Sequence, residues 1–114
     1  MPNRDPKTYL YDIVSSCEFL LDFTRDRTVL DYQDNRGFRS AVERELQIIG
    51  EAMMQLEDVR PDITEQIPDA YRIIGFRRVL VHGYASLNPK TVWNVIETKL
   101  VSLRDCVRVL FPKC

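Results

Sequence analysis

The run Asn88-Pro89-Lys90-Thr91-Val92-Trp93-Asn94-Val95-Ile96-Glu97-Thr98-Lys99-Leu100-Val101-Ser102-Leu103-Arg104-Asp105-Cys106-Val107-Arg108-Val109-Leu110 decides the fold. Within it Trp93, Ile96, Leu100, Leu103, Val107 and Leu110 recur at steps of 3, 4, 3, 4 and 3 residues. That alternation brings all six side chains onto one stripe of an α-helix, the seam pattern of a helical bundle. Asn88-Pro89 supplies a start signal, a capping side chain followed by proline at the first helical position. One long helix is the expectation for this run.

Upstream the same period recurs. Asp5-Pro6 opens a helix whose stripe is Leu10, Ile13, Val14, Cys17, Leu20, Leu21 and Thr24. The charged stretch from Asp22 to Asp34 holds a turn, with Thr28 to Tyr32 as a short helix. A second long helix is expected from Asn35 to Glu57, striped by Phe38, Ala41, Val42, Ile49, Ala52, Met53 and Leu56, with Leu46 alongside. Gly50 interrupts it at a cost of about 1 kcal/mol relative to alanine, so it marks either close packing against another helix or a tolerated accident. Pro61 and Pro68 bracket a connection. A third helix then starts near Pro68-Asp69-Ala70, carries Ile73, Ile74, Phe76, Val79, Leu80 and Val81, and stops at His82-Gly83. Four long helices with short links make an all-α, up-and-down four-helix bundle with short extra helices. Two long amphipathic faces in so small a chain also fit a homodimer.

Composition narrows the function. At 114 residues and 45% hydrophobic content the chain is one domain, residues 1–114, with apolar material for a core. No charge-free run exceeds the eleven residues from Val79 to Pro89, far short of a membrane span. The polar N-terminus carries no secretory pattern, so the expected location is the cytoplasm. Cys17, Cys106 and Cys114 are odd in number and widely spaced, which is neither a disulfide framework nor a zinc knuckle. A single histidine excludes two-histidine metal sites within one chain, and no cofactor is expected. Four scattered glycines offer no phosphate-cradling loop. Net charge is −1, yet twelve of the sixteen basic residues are arginine, the side chain suited to carboxylate and phosphate.

One segment carries chemistry: Gly75-Phe76-Arg77-Arg78-Val79-Leu80-Val81-His82-Gly83-Tyr84. It reads R-x4-H-x-Y, and it resembles the signature of the HEPN superfamily, specifically the HepT toxins of HEPN–MNT toxin–antitoxin pairs. Ala41 to Ala52 is similar to that family's second-helix signature. Ile67-Pro68, Ile74 to Arg77 and Val92 to Ile96 fall where its pattern has them, so the resemblance spans about 70 residues. It implies a HEPN-like bundle, dimeric, with a metal-independent endoribonuclease site at the subunit cleft. Arg77 and His82 carry over as the catalytic pair. The chemistry suits them: imidazole titrates nearest neutrality and takes a proton from a 2′-hydroxyl, while a guanidinium meets charge developing on phosphoryl oxygens. Tyr84 carries over as the tyrosine that a partner MNT-type nucleotidyltransferase antitoxin modifies with AMP, in a type VII toxin–antitoxin system.

Other readings stand beside this one. Arg77 could pair with Glu51 or Glu97, His82 could be a helix-capping histidine, and Tyr84 could pack on Trp93 or Phe76. The whole chain could be a non-catalytic helical dimer that binds or regulates the nucleotidyltransferase, or a generic helical adaptor. Arg78 stands where the family usually has a polar residue, most often asparagine. Four residues before His82, it shares that face of the helix. It either favours the neutral imidazole of a base, adds a phosphate contact, or replaces an orienting hydrogen bond. Arg72 and Arg78 are the expected RNA-binding residues, with Arg36 and Arg39 as further basic candidates; Tyr71 and Tyr84 either offer base-stacking platforms or pack in the core, as helix-spaced aromatics more often do.

Overall fold

A computed structural model describes residues 5–83 and 87–114. The elements are α1 (Pro6–Phe23), α2 (Val29–Asp34), α3 (Arg36–Val59), α4 (Pro61–Thr64), α5 (Ala70–His82), α6 (Pro89–Thr98) and α7 (Leu100–Leu110), closed by a 3₁₀ turn at Phe111–Lys113. No strand occurs among the described residues. No helix is long and apolar enough to cross a membrane among them.

The start signals read from sequence are made as hydrogen bonds. Asp5 accepts from the Lys7 N–H at 2.9 Å, Asn35 from the Phe38 N–H at 2.9 Å and Asn88 from the Lys90 N–H at 2.9 Å. Each satisfies one of the orphan donors of a first helical turn. The short α2 carries a full capping box: Thr28 N–H donates to the Asp31 carboxylate at 2.8 Å while Asp31 N–H reaches back to the Thr28 hydroxyl. The connection between Pro61 and Pro68, expected to be plain loop, contains the single turn of α4, begun by Pro61.

The long α3 is the centre of the bundle. α1 packs along one flank of it and α5 along the other, and α7 closes on α1. Leu10, Ile13, Cys17 and Leu20 from α1 are fully buried with Val42, Met53 and Leu56 from α3. Thr24, just beyond α1, is buried as its place in the stripe implies, its hydroxyl donating to the Leu20 carbonyl at 2.7 Å. All six seam residues from Trp93 to Leu110 are buried. At one end Phe19, Phe23, Phe38, Trp93 and Tyr32 form a continuous chain of ring contacts, with centroids 5.0 to 6.2 Å apart. Tyr32 is 1% exposed, and its hydroxyl donates to Glu43 at 2.5 Å, pinning α2 onto α3.

The expected single last helix is two. It turns at Lys99, whose φ of −115° departs from helical values, so that α6 rests on α2 while α7 rests on α1. The hydrogen-bond ladder bends rather than breaks, since Lys99 N–H still donates to the Val95 carbonyl at 2.9 Å. The Thr98 hydroxyl bonds back to the Asn94 carbonyl at 2.7 Å, a contact that loosens and bends a helix. Lys99 Nζ also reaches Asp69 at 3.8 Å, tying the bend to the start of α5.

α5 is fastened differently from the rest. Only Ala70 and Leu80 of its residues are fully buried. It packs on α3 and faces α6 and α7 across an apolar cleft of about 430 Å³, lined by Ile49, Ile73, Phe76, Val95, Leu103 and Cys106 among others. The residue that permits the α3–α5 approach is Gly50. A methyl on it would lie 2.3 Å from Arg77 Cβ and 3.2 Å from the Ile73 carbonyl oxygen. The expectation that this glycine marks a close helix crossing is met. Gly83 ends α5, its N–H donating to the Val79 carbonyl at 2.8 Å. Its φ is −119°, so the stop does not depend on a left-handed conformation that only glycine adopts freely.

Candidate active site

α5 runs back along α3, with Ala70 beside Glu57 at one end and Arg77 beside Gly50 further along. This crossing sinks the stem of Arg77 between the helices. Its Nε is out of contact with solvent and has no acceptor among the described residues. Neither Glu51 nor Glu97 forms an ion pair with it there, so the salt-bridge alternative for this residue is not realised. A buried donor without a partner costs about 1–3 kcal/mol. The inner N–H of this cation is thus sealed between the helices, away from any ligand that arrives through solvent.

His82 is the last residue of α5 and is exposed. α5 is helical throughout from Ala70 to His82, so the five positions from Arg77 amount to a net rotation of about 140° and a rise of about 7.5 Å. A single chain aims the two side chains to different sides. Arg77 is turned towards α3, whereas His82 shares the open side of α5 with Arg78, Gly75 and Tyr71. A methyl built on Gly75 would meet nothing within 4 Å, which marks how open that side is.

The remaining basic candidates separate into groups. Arg72 is exposed and lies 3.9 Å from Asp69, a loose surface pair that leaves its guanidinium available. Arg78 is exposed as well. Arg36 is exposed at the start of α3, but the fourteen positions from it to Gly50 span about 21 Å of helix. Arg39 is committed elsewhere: its guanidinium donates to the Gln33 carbonyl at 2.8 Å and the Tyr32 carbonyl at 3.5 Å, capping the end of α2. It belongs to the scaffold. Tyr71 is 79% exposed, so the stacking role suggested for it is open to a base. Tyr84, the expected modification site, lies outside the described residues.

The residue that sequence reasoning placed in the packing and not in the site is Gly50. A glycine inside a long amphipathic helix was its only signal, and nothing in one sequence says which side chain lies across from it.

The chain matches the family model described as ribonuclease HepT-like over residues 13–110. Two relatives from Methanocaldococcus jannaschii, each named as an RNase by inference, are similar to it. One is 30% identical over 112 residues, covering 96% of this chain and 100% of its own. The other is 32% identical over 106 residues, covering 91% and 89%. A ribonuclease HepT of Thermococcus cleftensis, again named by inference, is 29% identical over 101 residues, covering 89% and 91%. No solved structure matches the chain.

Proposed function

This chain belongs to the HepT-like ribonuclease family of the HEPN superfamily, an RNA-cleaving family, and on that premise we propose that it is the toxin of a type VII toxin–antitoxin system. In this reading residues 1–114 form one domain that works in the cytoplasm as a homodimer. It cuts RNA without metal at a cleft built by two copies of the chain, through Arg77 and His82.

The observation that carries the catalytic part is the state of Arg77: a half-sunk guanidinium with a buried, unpaired Nε, five residues before an exposed histidine on one helix. His82 takes the proton from a ribose 2′-hydroxyl. The oxygen attacks the adjacent phosphorus and the 5′-oxygen leaves with a proton, giving a 2′,3′-cyclic phosphate and a 5′-hydroxyl. Arg77 meets the negative charge that grows on the phosphoryl oxygens during attack, where a fixed cation stabilises the transition state more than the ground state. Arg72 and Arg78 hold the RNA backbone on the exposed side. The divergence of Arg77 and His82 on one helix supports a cleft shared by two protomers, in which the histidine of one copy faces the arginine of the other.

The partner is an MNT-type nucleotidyltransferase antitoxin that attaches AMP to Tyr84. An added phosphate and nucleoside two residues from His82 repel and obstruct an RNA strand. Mass spectrometry after co-expression with such an enzyme tests this step, and an unmodified Tyr84 peptide refutes it.

The decisive experiment incubates wild type, Arg77→Ala and His82→Ala with total cellular RNA in the presence of a chelator. Wild type cleaves and both variants do not. Cleavage by both variants, or cleavage that needs added metal, overturns the proposal. The alternative, a non-catalytic dimer that binds or regulates the nucleotidyltransferase, draws its support from Arg78 in place of the family's polar residue. Wild-type protein without cleavage, yet still modified at Tyr84, would favour it.

A further inference from the structure

α3 and α5 meet most closely where the catalytic arginine leaves its helix. A methyl on Gly50 would lie 2.3 Å from Arg77 Cβ, 3.0 Å from Arg77 Cγ and 3.2 Å from the Ile73 carbonyl oxygen. Non-bonded carbons settle at about 3.5–4.0 Å. The nearest obstacle is not the tip of a flexible side chain that can swing aside. Cβ is fixed to the backbone of α5, so the helix itself would have to retreat by about 1 Å or more. The missing side chain at position 50 thus sets how deeply the arginine stem seats, and the burial of Nε on the same stem is a second sign of that depth.

We infer that Gly50 is a positioning residue for the Arg77 guanidinium. It fixes the height of α5 over α3 and so the point at which the terminal nitrogens of Arg77 meet a phosphoryl oxygen. This deepens the ribonuclease reading above and rests on it. Electrostatic stabilisation needs donors within about 2.7–3.1 Å of the developing charge. A misplacement of about 1 Å costs on the order of 100-fold in rate. Arg72 and Arg78 ride on the same helix but are exposed, long and flexible, so they can follow an RNA backbone through a small shift that a seated guanidinium cannot.

The test compares steady-state cleavage of a fluorescent RNA oligonucleotide by the full chain and its variants. Gly37 is the control, because it lies on the same helix and a methyl there meets only Asn35 Oδ1 at 3.5 Å, an ordinary contact. Gly50→Ala is expected to melt cooperatively, to lose at least about tenfold in kcat and to keep KM within about twofold. Gly37→Ala keeps both constants. A folded Gly50→Ala with the wild-type kcat overturns the inference. So does a loss carried by KM with kcat unchanged, since that marks a disturbed hold on RNA and not a misplaced guanidinium. Should Gly50→Ala not fold, pairing it with Arg77→Gly removes the carbon it strikes and must restore a cooperative melt; failure to do so overturns the steric premise. Wild-type cleavage by Arg77→Ala alone would sink the ribonuclease reading itself, whereas loss there with full activity in Gly50→Ala sinks only the role of Gly50.

Discussion

Replacing Arg77 by methionine should make the protein more stable and inactive. Methionine follows the arginine stem through Cβ and Cγ, and its terminal methyl falls where Nε now lies. That exchanges a buried donor with no acceptor for an apolar group in the same space. An unsatisfied donor costs about 1–3 kcal/mol, and because Arg77 is only half-buried as a residue the lower end applies, about 1 kcal/mol. Unfolding entropy of about 2.1 cal/mol/K per residue gives about 240 cal/mol/K for 114 residues, so the gain corresponds to a rise of about 4 °C in Tm. Thermal melts followed by circular dichroism read this directly. RNA cleavage should vanish in the same sample. A non-cleavable oligonucleotide should then raise the Tm of wild type more than that of the variant, since only wild type carries a guanidinium to meet phosphate. A Tm that falls by several degrees in Arg77→Met would refute the reasoning, because Nε would have to be paired in solution.

Four further outcomes follow from particular residues. Tyr32→Phe removes the hydroxyl bonded to Glu43; the half-buried carboxylate can regain water, so the cost is about 1–2 kcal/mol, a Tm lower by about 4–8 °C. His82→Ala changes an exposed side chain and should shift Tm by less than about 2 °C, in line with a surface substitution of about 0.5 kcal/mol or less. The Cys17 thiol, first through burial and then through Glu18, with Arg104 opposing, is pushed up to about 12, so iodoacetamide at pH 8 should label Cys106 or Cys114 in native protein and reach Cys17 only in denaturant. Burial and Glu43 likewise push the Tyr32 hydroxyl well above the ordinary tyrosine value. Both groups hold their protons more tightly when folded. Their contribution is complete below the unfolded values of about 8.5 and 10 and is lost as pH rises beyond them, so Tm should fall in alkaline buffer, and a Tm flat to pH 11 would contradict it.

Much of the scaffold was legible because it is local. The 3- and 4-residue steps of Trp93 to Leu110 specify one buried stripe, and Asp5, Thr28, Asn35 and Asn88 announce helix starts through side chains that act within three residues. What escaped is set by partners distant in sequence. The bend at Lys99 depends on α6 and α7 resting on different helices and on a tie to Asp69, 30 positions earlier. Arg39 reads as an RNA contact until α2 folds over and offers its terminal carbonyls. For the site, the motif named Arg77 and His82, and the pitch of a helix already implied that they diverge. The sequence could not show that Nε is sealed from water, because that follows from which face of α3 lies across from it.

The scarcity of anchors on α5 also has a thermodynamic meaning. With just Ala70 and Leu80 fully enclosed, this segment is held by a small share of the molecule's apolar contact, whereas α1 and α3 lie in its interior. Opening free energies within a protein follow such differences, and segments of low contact detach well before the whole chain unravels. Amide hydrogens from Ala70 to His82 should therefore trade for deuterium ahead of those in α1 and α3. The stretch that bears the reactive groups is thereby the one a ligand stands to gain most by holding still.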